Sequence, residues 1–260
     1  MPKLSIITIN LNNIAGLQKT FESVFEQTFK DFEYIVIDGG STDASKEIIE
    51  KKAAKFSYWV SEKDKGIYNA MNKGIVKAKG EYIYFLNSGD YLINNEVLDK
   101  VFTEAESKDI IYGDVIVADK ENPYKRDCPK ELPFSYFIYD SLSHQGTFIK
   151  RDLFIKWGLY NEHLKIVADW EFFMLAINKH NCTYKHIPVI IASYNLDGVS
   201  AQKQNEALIQ KEREEVLQKH FSAFLPEYAR TIALQKELND IKKMLGYRIH
   251  RKLLKITGKN

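Results

Sequence analysis

The sequence predicts an α/β protein in which helices flank a mostly parallel central sheet, followed by a helical extension. Three observations support this fold class. Along residues 1–90, apolar runs of strand length alternate with segments whose apolar side chains recur at helical spacing. Such an alternation produces parallel strands joined by right-handed crossovers. After Gln204 the composition shifts towards Glu, Lys, Gln and Leu, which is typical of helices that lie outside a sheet.

The first half of the chain contains four predicted strands and three predicted helices. The strands are expected at residues 4–9, 32–37, 58–60 and 82–87, where β-branched and aromatic residues cluster. The intervening helices are marked by apolar stripes, which include Leu17, Phe21, Ile48, Ile49, Ile67 and Met71. Ser41 or Thr42 is placed to cap the second helix.

The second half of the chain is less regular. Extended segments are predicted at residues 109–117, 143–149 and 184–194, with a polar, Pro-containing loop at 122–133. A short helix ends at Gly158, and a later helix carries Asp169 in its first turn. We predict one domain over residues 1–203 and a helical extension over 204–260. Within the extension, a narrow apolar seam is formed by Leu234, Leu238, Ile241 and Leu245.

The composition argues against several classes of protein. The 260 residues carry a formal net charge of +2, so no general positive charge favours binding to nucleic acid. Cys128 and Cys182 are isolated and form no CxxC pair, which argues against a zinc site or a disulfide framework. The sequence has no apolar stretch of about 18 residues and no signal-peptide pattern at its start. A cytoplasmic location is therefore expected.

Carboxylates follow several of the predicted strands. Asp38 ends the second strand, Asp64 precedes the third helix, and Asp90 closes the turn after the fourth strand. Because the carboxyl ends of parallel strands share one edge of a sheet, we expect these residues on one rim, where α/β proteins bind ligands. The turn at residues 87–90, Asn-Ser-Gly-Asp, is either a plain polar turn or a place where Asp90 holds a metal ion bound to phosphates.

Five motifs, in their order along the chain, resemble family 2 glycosyltransferases with the GT-A fold. The motifs are SIITINLNN, VIDGGSTD, DKGIYNAMNKGIVKAKGEYIYFLNSGD, HQGTF and ADWEFF, and they span roughly residues 3–200. Each motif alone is weak, whereas their order is specific. The greatest similarity is to bacterial enzymes that build O-antigen, capsule or exopolysaccharide units. The resemblance implies a part that binds a nucleotide sugar over residues 1–115 and an acceptor part over 116–203.

The resemblance also implies roles for individual residues. The implied nucleotide-sugar-binding set is Thr8, Ile9, Asn10, Asp38, Gly39, Gly40, Asp64, Lys65, Asn87, Ser88 and Gly89. In this set Asp38 accepts hydrogen bonds from the base, although it could instead serve only the turn after its strand. Gly39 and Gly40 allow the backbone to approach the nucleotide closely. Asp90 matches the carboxylate that contacts a divalent cation, Mg²⁺ or Mn²⁺, and Asp169 matches the general base.

This chain departs from the family pattern at the metal motif. Many members carry two or three acids there, whereas this chain has Asn87, Gly89 and the single carboxylate of Asp90. Either the metal is held more weakly, or the diphosphate supplies most of its oxygen ligands, as is common at magnesium sites. His144 is interpreted as a further metal ligand, as a phosphate contact, or as a structural hydrogen-bonding residue.

The implied chemistry requires a base and a metal. In an inverting transfer, a carboxylate deprotonates the acceptor hydroxyl as this attacks the anomeric carbon. A divalent cation neutralises the charge that grows on the departing nucleoside diphosphate. Asp169 and Asp90 fit these two positions, and Glu171 could replace Asp169. The plainer alternatives are that Asp169 only complements its helix dipole, that Asp43 only serves a turn or cap, and that Trp170 belongs to the core or to an acceptor platform.

The basic tail over residues 242–259 has two interpretations. No acid follows Asp240, whereas seven basic residues do: Lys242, Lys243, Arg248, Arg251, Lys252, Lys255 and Lys259. A basic amphipathic segment lies on an anionic membrane surface, which would bring the enzyme to a lipid-linked acceptor at the inner face of the cytoplasmic membrane. Alternatively, the segment is a solvated helix that packs on the domain or pairs with a second copy in a homodimer.

We therefore predict a metal-dependent inverting glycosyltransferase that moves a sugar from a UDP-sugar to a lipid-linked glycan acceptor. Three alternatives stay open. A nucleotidyltransferase would be expected to carry a Gly-rich basic loop after the first strand, and NLNNIAG is not such a loop. A non-catalytic sugar-binding, nucleotide-binding or scaffolding protein of the same fold would explain the reduced metal motif. A nucleic-acid binder would use the basic tail and would bind in a salt-dependent way.

Overall fold

The computed structural model describes residues 1–104, 107–119 and 122–257. The side chains of residues 244–245 and 247–257 lie outside the described part. Leu245 of the predicted seam, and most of the predicted basic tail, are therefore outside the side chains that the structure describes.

Within the described residues, nine strands form one sheet and nine α-helices accompany them. The strands are β1 (Leu4–Asn10), β2 (Phe32–Asp38), β3 (Tyr58–Ser61), β4 (Tyr82–Phe85), β5 (Tyr91–Leu92), β6 (Ile110–Ala118), β7 (Tyr124–Arg126), β8 (Thr147–Lys150) and β9 (Tyr184–Asn195). The helices are α1 (Ile14–Phe25), α2 (Ser45–Lys51), α3 (Ile67–Lys77), α4 (Val97–Glu104), α5 (Phe134–Tyr139), α6 (Arg151–Trp157), α7 (Ala168–Met174), α8 (Glu206–Phe221) and α9 (Leu225–Thr257).

The first four strands form the parallel sheet that the sequence predicts. Their order across the sheet is β3-β2-β1-β4, and every neighbouring pair is parallel. The register pairs Asn10 with Asp38, and Asp38 with Ser61, so that the carboxyl ends of β1, β2 and β3 lie level with one another. The predicted α/β class and the predicted common rim for these strand ends are confirmed.

The sheet becomes mixed beyond β4. Strand β8 is antiparallel to both β4 and β6, while β9 runs parallel to β6. The short strands β5 and β7 also pair in the antiparallel direction. The expected parallel arrangement holds for every pair among the first four strands. These strands are joined in sequence by the helical crossovers that parallel pairing requires.

Three local predictions need correction. The loop predicted at residues 122–133 contains the short strand β7, and the predicted extended segment at 143–149 starts with a 3-10 turn at His144–Gly146. The N-cap position of α2 is occupied by Ala44, not by Ser41 or Thr42, and it offers no side-chain cap. Instead, a carboxylate oxygen of Asp43 accepts hydrogen bonds from the backbone N–H and the hydroxyl of Ser45, at 3.1 and 2.6 Å.

Helix α3 packs closely on the sheet at a glycine. A Cβ atom at Gly74 would lie 2.5 Å from Cγ2 of Ile7 in β1, which is closer than real Cβ atoms come to a neighbour. The bare backbone at Gly74 therefore lets α3 lie directly against β1. This contact fixes the position of the other residues of α3, including Tyr68, Asn69 and Asn72.

The chain divides into two compact units, Met1–Ile209 and Gln210–Asn260, with the division inside α8. In the second unit, Leu234, Leu238 and Ile241 of the predicted seam are 56%, 44% and 53% exposed. None of the helices in the described residues is long and apolar enough to cross a bilayer.

Candidate functional site

Asp38 is the most extensively hydrogen-bonded carboxylate on the rim. It is fully buried and accepts hydrogen bonds from Asn10 Nδ2 (2.7 Å), Ser61 Oγ (2.6 Å), and the backbone N–H (2.9 Å) and hydroxyl (2.5 Å) of Ser41. Burial by itself would raise the pKa of Asp38, but the bonds from Ser41, Ser61 and Asn10 outweigh it and lower the pKa. Because four donors already surround this carboxylate, a base N–H would have to replace one of them.

The predicted residues of β1 differ in what they offer to a ligand. The Thr8 side chain is fully buried, and its hydroxyl lies 2.8 Å from the Tyr34 hydroxyl and donates to the Leu86 carbonyl at 2.7 Å. Ile9 is half-buried. The side-chain oxygen of Asn10 is buried without a hydrogen-bond partner among the described residues. Asn10 therefore carries an unused acceptor beside Asp38, whereas the Thr8 side chain is part of the core.

The glycines after β2 lie against the loop that carries Asp64. A Cβ atom at Gly39 would lie 2.9 Å from Oδ2 of Asp64, and Gly40 has a φ of +81°, in the left-handed region that favours glycine. The other oxygen of Asp64 accepts a bond from Lys73 at 2.5 Å. Lys65 is exposed next to it. The structure thus brings Gly39, which follows β2, against Asp64 in the loop that precedes α3.

The turn after β4 is held by helix α1. Gly89 has a φ of +103°, and its N–H donates to the Thr20 hydroxyl at 3.0 Å. The same hydroxyl donates to the Asp90 carbonyl at 2.7 Å, and the Asn13 amide donates to the Ser88 carbonyl at 3.0 Å. Thr20 was missed by sequence reasoning. A buried hydroxyl within the otherwise apolar stripe of α1 was the signal that could have identified it.

Asp90 is a buried carboxylate that receives few hydrogen bonds compared with Asp38. It is 7% exposed, and Gln145 Nε2 donates to one of its oxygens at 3.1 Å. Burial raises the pKa of Asp90 to about 6, although a positive charge on His144 and the bond from Gln145 oppose this shift. A positive ion at this position would stabilise the charged form that burial disfavours.

His144 connects the turn after β4 with helix α7. Its Nε2 lies 3.1 Å from Nδ2 of Asn87, and its Nδ1 lies 3.4 Å from Oδ2 of Asp169. A neutral ring with its proton on Nδ1 satisfies both contacts, since it accepts from Asn87 and donates to Asp169. The side-chain oxygen of Asn87 is then left buried without a partner among the described residues.

Asp169 lies in the first turn of α7, as predicted. One oxygen accepts from the backbone N–H of Trp170 at 2.9 Å and lies 2.9 Å from the Tyr68 hydroxyl. Burial opposes ionisation, but His144 and Tyr68 outweigh it and hold the pKa of Asp169 below its ordinary value. Its neighbours are less accessible, because Trp170 is 1% and Glu171 6% exposed. Trp170 is therefore a core residue and not an acceptor platform.

The donor atoms at the turn fit a cation that takes most of its ligands from a bound diphosphate. In the part of the chain that the structure describes, no group of three or more His, Cys, Asp and Glu side chains is arranged as a metal site. What the turn offers is the Asp90 carboxylate, with the unpartnered side-chain oxygen of Asn87 in the same turn. His144 would act as a ligand only by giving up one of its two present contacts.

Comparisons with known proteins agree with this fold. Residues 5–159 match the Glycosyl transferase family 2 profile. A PGL/p-HBAD biosynthesis glycosyltransferase of Mycobacterium tuberculosis is 32% identical over 200 residues, which cover 75% of this chain and 77% of that protein. An uncharacterized glycosyltransferase of Rickettsia typhi is 30% identical over 236 residues, which cover 86% of this chain and 72% of the relative.

Solved structures share the architecture at lower identity. S. aureus TarS 1-349 in complex with UDP-GlcNAc superposes with a TM-score of 0.60 at 21% identity, over 74% of this chain and 58% of that one. The mannosyltransferase PcManGT from Pyrobaculum calidifontis, in complex with GDP-Man and Mn²⁺, gives 0.59 at 15% identity, over 86% and 64%. This chain thus matches less than two thirds of either structure. With a family match over more than half of its length, the chain belongs to glycosyl transferase family 2 and has the GT-A fold.

Proposed function

We propose that this protein is an inverting, metal-dependent glycosyltransferase that moves a sugar from a UDP-sugar to a lipid-linked glycan acceptor. Family membership supports glycosyl transfer. TarS has been solved with UDP and with UDP-GlcNAc, which supports a uridine nucleotide, and PcManGT with GDP-Man and Mn²⁺, which supports a divalent cation. The mycobacterial relative acts in PGL/p-HBAD biosynthesis.

One observation carries the proposal more than any other. His144 contacts both Asn87, in the turn that ends at Asp90, and Asp169 at the start of α7. A single imidazole ring therefore separates the donor-side turn from a carboxylate held in its ionised form. This proximity supports the proposal, because an in-line displacement needs a leaving-group site and a base on opposite sides of the anomeric carbon.

On the acceptor side, the reaction follows from the state of Asp169. Its ionised carboxylate takes the proton from the acceptor hydroxyl, whose oxygen forms a bond to the anomeric carbon. The bond between that carbon and the phosphate oxygen breaks, and its electron pair leaves with the nucleoside diphosphate. Attack on the face opposite the leaving group inverts the configuration at this carbon. His144 and Tyr68 orient the carboxylate for this step.

On the donor side, we assign the other predicted residues to nucleotide binding. Asn10 and Asp38 lie together at the ends of β1 and β2 and serve the base, while Gly39 and Gly40 leave room for the backbone to approach the nucleotide. Lys65 is exposed next to Asp64 and is available to the diphosphate. A divalent cation bound at Asp90 would neutralise the charge on the leaving diphosphate.

Two substitutions test the donor and acceptor assignments separately. We expect UDP with Mn²⁺ to raise the melting temperature of the wild type and of Asp169→Asn, but not that of Asp90→Asn, since a ligand that binds only the folded state stabilises it. UDP release from UDP-sugars, with water as acceptor, should fall at least about 100-fold in Asp169→Asn, because general base catalysis contributes this much or more.

The outcomes distinguish the proposal from its rival. A protein that binds UDP with metal but releases none from any UDP-sugar would be a non-catalytic nucleotide-binding member of the fold. Wild-type rates in Asp169→Asn would show that another group accepts the proton. If neither UDP nor any other nucleoside diphosphate raises the melting temperature, the donor-site assignment is wrong.

A further inference from the structure

The Tyr68 hydroxyl lies beside Asp169 and within hydrogen-bonding distance of two acceptor oxygens, but it has only one proton to donate. Its side chain is 5% exposed, and its hydroxyl oxygen lies 2.5 Å from the Ile166 carbonyl oxygen and 2.9 Å from Oδ1 of Asp169. A tyrosine hydroxyl has one proton to donate, but it can accept a hydrogen bond as well. The two contacts therefore cannot both be donated bonds at the same time.

The segment that leads into α7 is anchored to α3 at further points. The Asn72 side chain donates to the Tyr160 carbonyl at 2.9 Å and accepts from its N–H at 3.0 Å. Asn69 and Asn72 each donate to one carboxylate oxygen of Glu162, both at 2.9 Å. These bonds hold the backbone before Asp169 in place, so the distance from the Tyr68 hydroxyl to the Asp169 carboxylate is well defined.

The arrangement of Tyr68 suits both protonation states of Asp169. While Asp169 is ionised, the Tyr68 proton points to its carboxylate. Once Asp169 carries a proton, that proton can be donated to the Tyr68 oxygen, and the Tyr68 proton turns to the Ile166 carbonyl. The hydroxyl rotates, and its oxygen has to relax only slightly away from the Ile166 carbonyl oxygen, which lies 2.5 Å from it. Burial, together with the charge of Asp169, raises the pKa of Tyr68 well above its ordinary value, so its hydroxyl keeps its proton throughout.

We propose that Tyr68 is a positioning residue that holds the Asp169 carboxylate in place before and after it takes the acceptor proton, by switching the direction of one hydroxyl. The inference rests on the proposed function, in which Asp169 is the base. Transfer of the proton then leaves no hydrogen-bonding group of Tyr68 or Asp169 unsatisfied in their mutual contact. An unsatisfied group at a buried position would be costly.

A neighbouring tyrosine provides a matched control. Tyr160 is 3% exposed, and its ring centroid lies 5.6 Å from that of Tyr68. Its buried hydroxyl has no hydrogen-bond partner among the described residues. Tyr68→Phe and Tyr160→Phe therefore remove the same atom from two touching rings, and only the first removes a hydrogen bond to Asp169.

The test compares steady-state UDP release from a UDP-sugar in wild type, Tyr68→Phe and Tyr160→Phe, with active molecules counted by UDP titration. We expect Tyr68→Phe to lower kcat about 10- to 100-fold, the size of a hydrogen bond to a charged group, and to change KM for the donor less than twofold. Tyr160→Phe should leave kcat and KM unchanged. Equal kcat values for the two variants, or a raised KM with an unchanged kcat, would overturn the proposal.

A second comparison separates this inference from the proposed function. In an Asp169→Asn background, Tyr68→Phe should cause no further loss of kcat, because the hydroxyl acts through the carboxylate. A further loss as large as in the wild-type background would show a structural role and overturn the inference alone. If Asp169→Asn retains the wild-type kcat, the assignment of the base is wrong, and the role of Tyr68 falls with it.

Discussion

Asp38 and Asp90 show how two buried carboxylates on one rim acquire opposite properties. Asp38 receives hydrogen bonds from Asn10, Ser41 and Ser61, and its pKa is lowered in spite of burial. Asp90 receives one from Gln145, and burial raises its pKa to about 6. The charge of Asp38 is thus compensated by hydrogen-bond donors of the protein itself. Asp90 is left with a charge that the protein alone does not compensate, which is what a cation site requires.

This difference predicts a pH-dependent stability that Asp90→Asn removes. In metal-free protein the folded-state pKa of Asp90, about 6, exceeds its ordinary value of 3.8, so the folded state binds the proton more tightly. The contribution of Asp90 to the free energy of unfolding, up to about 3 kcal/mol, is therefore fully present below pH 4. It is lost as the pH rises through 6. Denaturant unfolding with EDTA at several pH values measures it. A parallel pH dependence in wild type and Asp90→Asn would contradict the assignment.

The sequence marks Asp90 and Asp169 as candidate site residues, but it does not mark the side chains that contact them. Both acids stand in positions that a motif or a strand end marks. Thr20, Tyr68 and Gln145 contact residues that are far away in the chain, at Asp90, Asp169 and Asp90 respectively. Such pairings depend on how helices lie on the sheet, which local patterns do not specify.

Helix α3 performs two tasks with two of its faces. Gly74 lies against Ile7 of β1, while Tyr68, Asn69 and Asn72 bind the segment before α7. The apolar stripe of this helix could be predicted from the sequence. Its polar contacts could not, because Asn and Tyr at these positions are equally compatible with a solvated face. The mixed pairing around β8 was missed for a related reason, since the apolar pattern of a strand does not state its direction.

The close packing of α3 predicts the effect of one added methyl group. Gly74→Ala should improve helix propensity by about 1 kcal/mol, but its Cβ would lie 2.5 Å from Ile7, and overpacking costs about 1–3 kcal/mol. We expect a net decrease in the melting temperature of the UDP-stabilised transition. Gly246→Ala, at a helical position where a Cβ would meet nothing within 4 Å, is the matched control and should not lower it. A higher melting temperature for Gly74→Ala would show that α3 packs on β1 less tightly than the 2.5 Å distance implies.

At the scale of the whole molecule, the chain combines a sheet-containing unit with a second, helical one. The second unit includes the exposed Leu234, Leu238 and Ile241, and it ends in the basic tail. We propose that the tail lies on anionic membrane surfaces, where a lipid-linked acceptor would be found. The competing interpretation is that two chains pair through the apolar seam. Such pairing would give the mass of a dimer in solution.

Charge reversal tests the membrane proposal in the full-length protein. Each basic residue near an anionic surface contributes about 1 kcal/mol, so replacing Lys242, Lys243 and Arg248 with Glu should weaken binding to phosphatidylserine vesicles at least about 100-fold. Vesicles of phosphatidylcholine alone, and high salt, provide the controls. Unchanged sedimentation of the variant with anionic vesicles would contradict the proposal.

The most direct measurement of the central claim follows the anomer that the enzyme releases. Proton NMR spectroscopy, recorded during hydrolysis of an α-linked UDP-sugar with Mn²⁺, shows which anomer of the free sugar appears first. A single displacement assisted by Asp169 predicts the β anomer, formed together with UDP and absent in Asp169→Asn. Initial release of the α anomer would contradict the inverting mechanism. Absence of UDP from every UDP-sugar, in protein that binds UDP, would contradict catalysis itself.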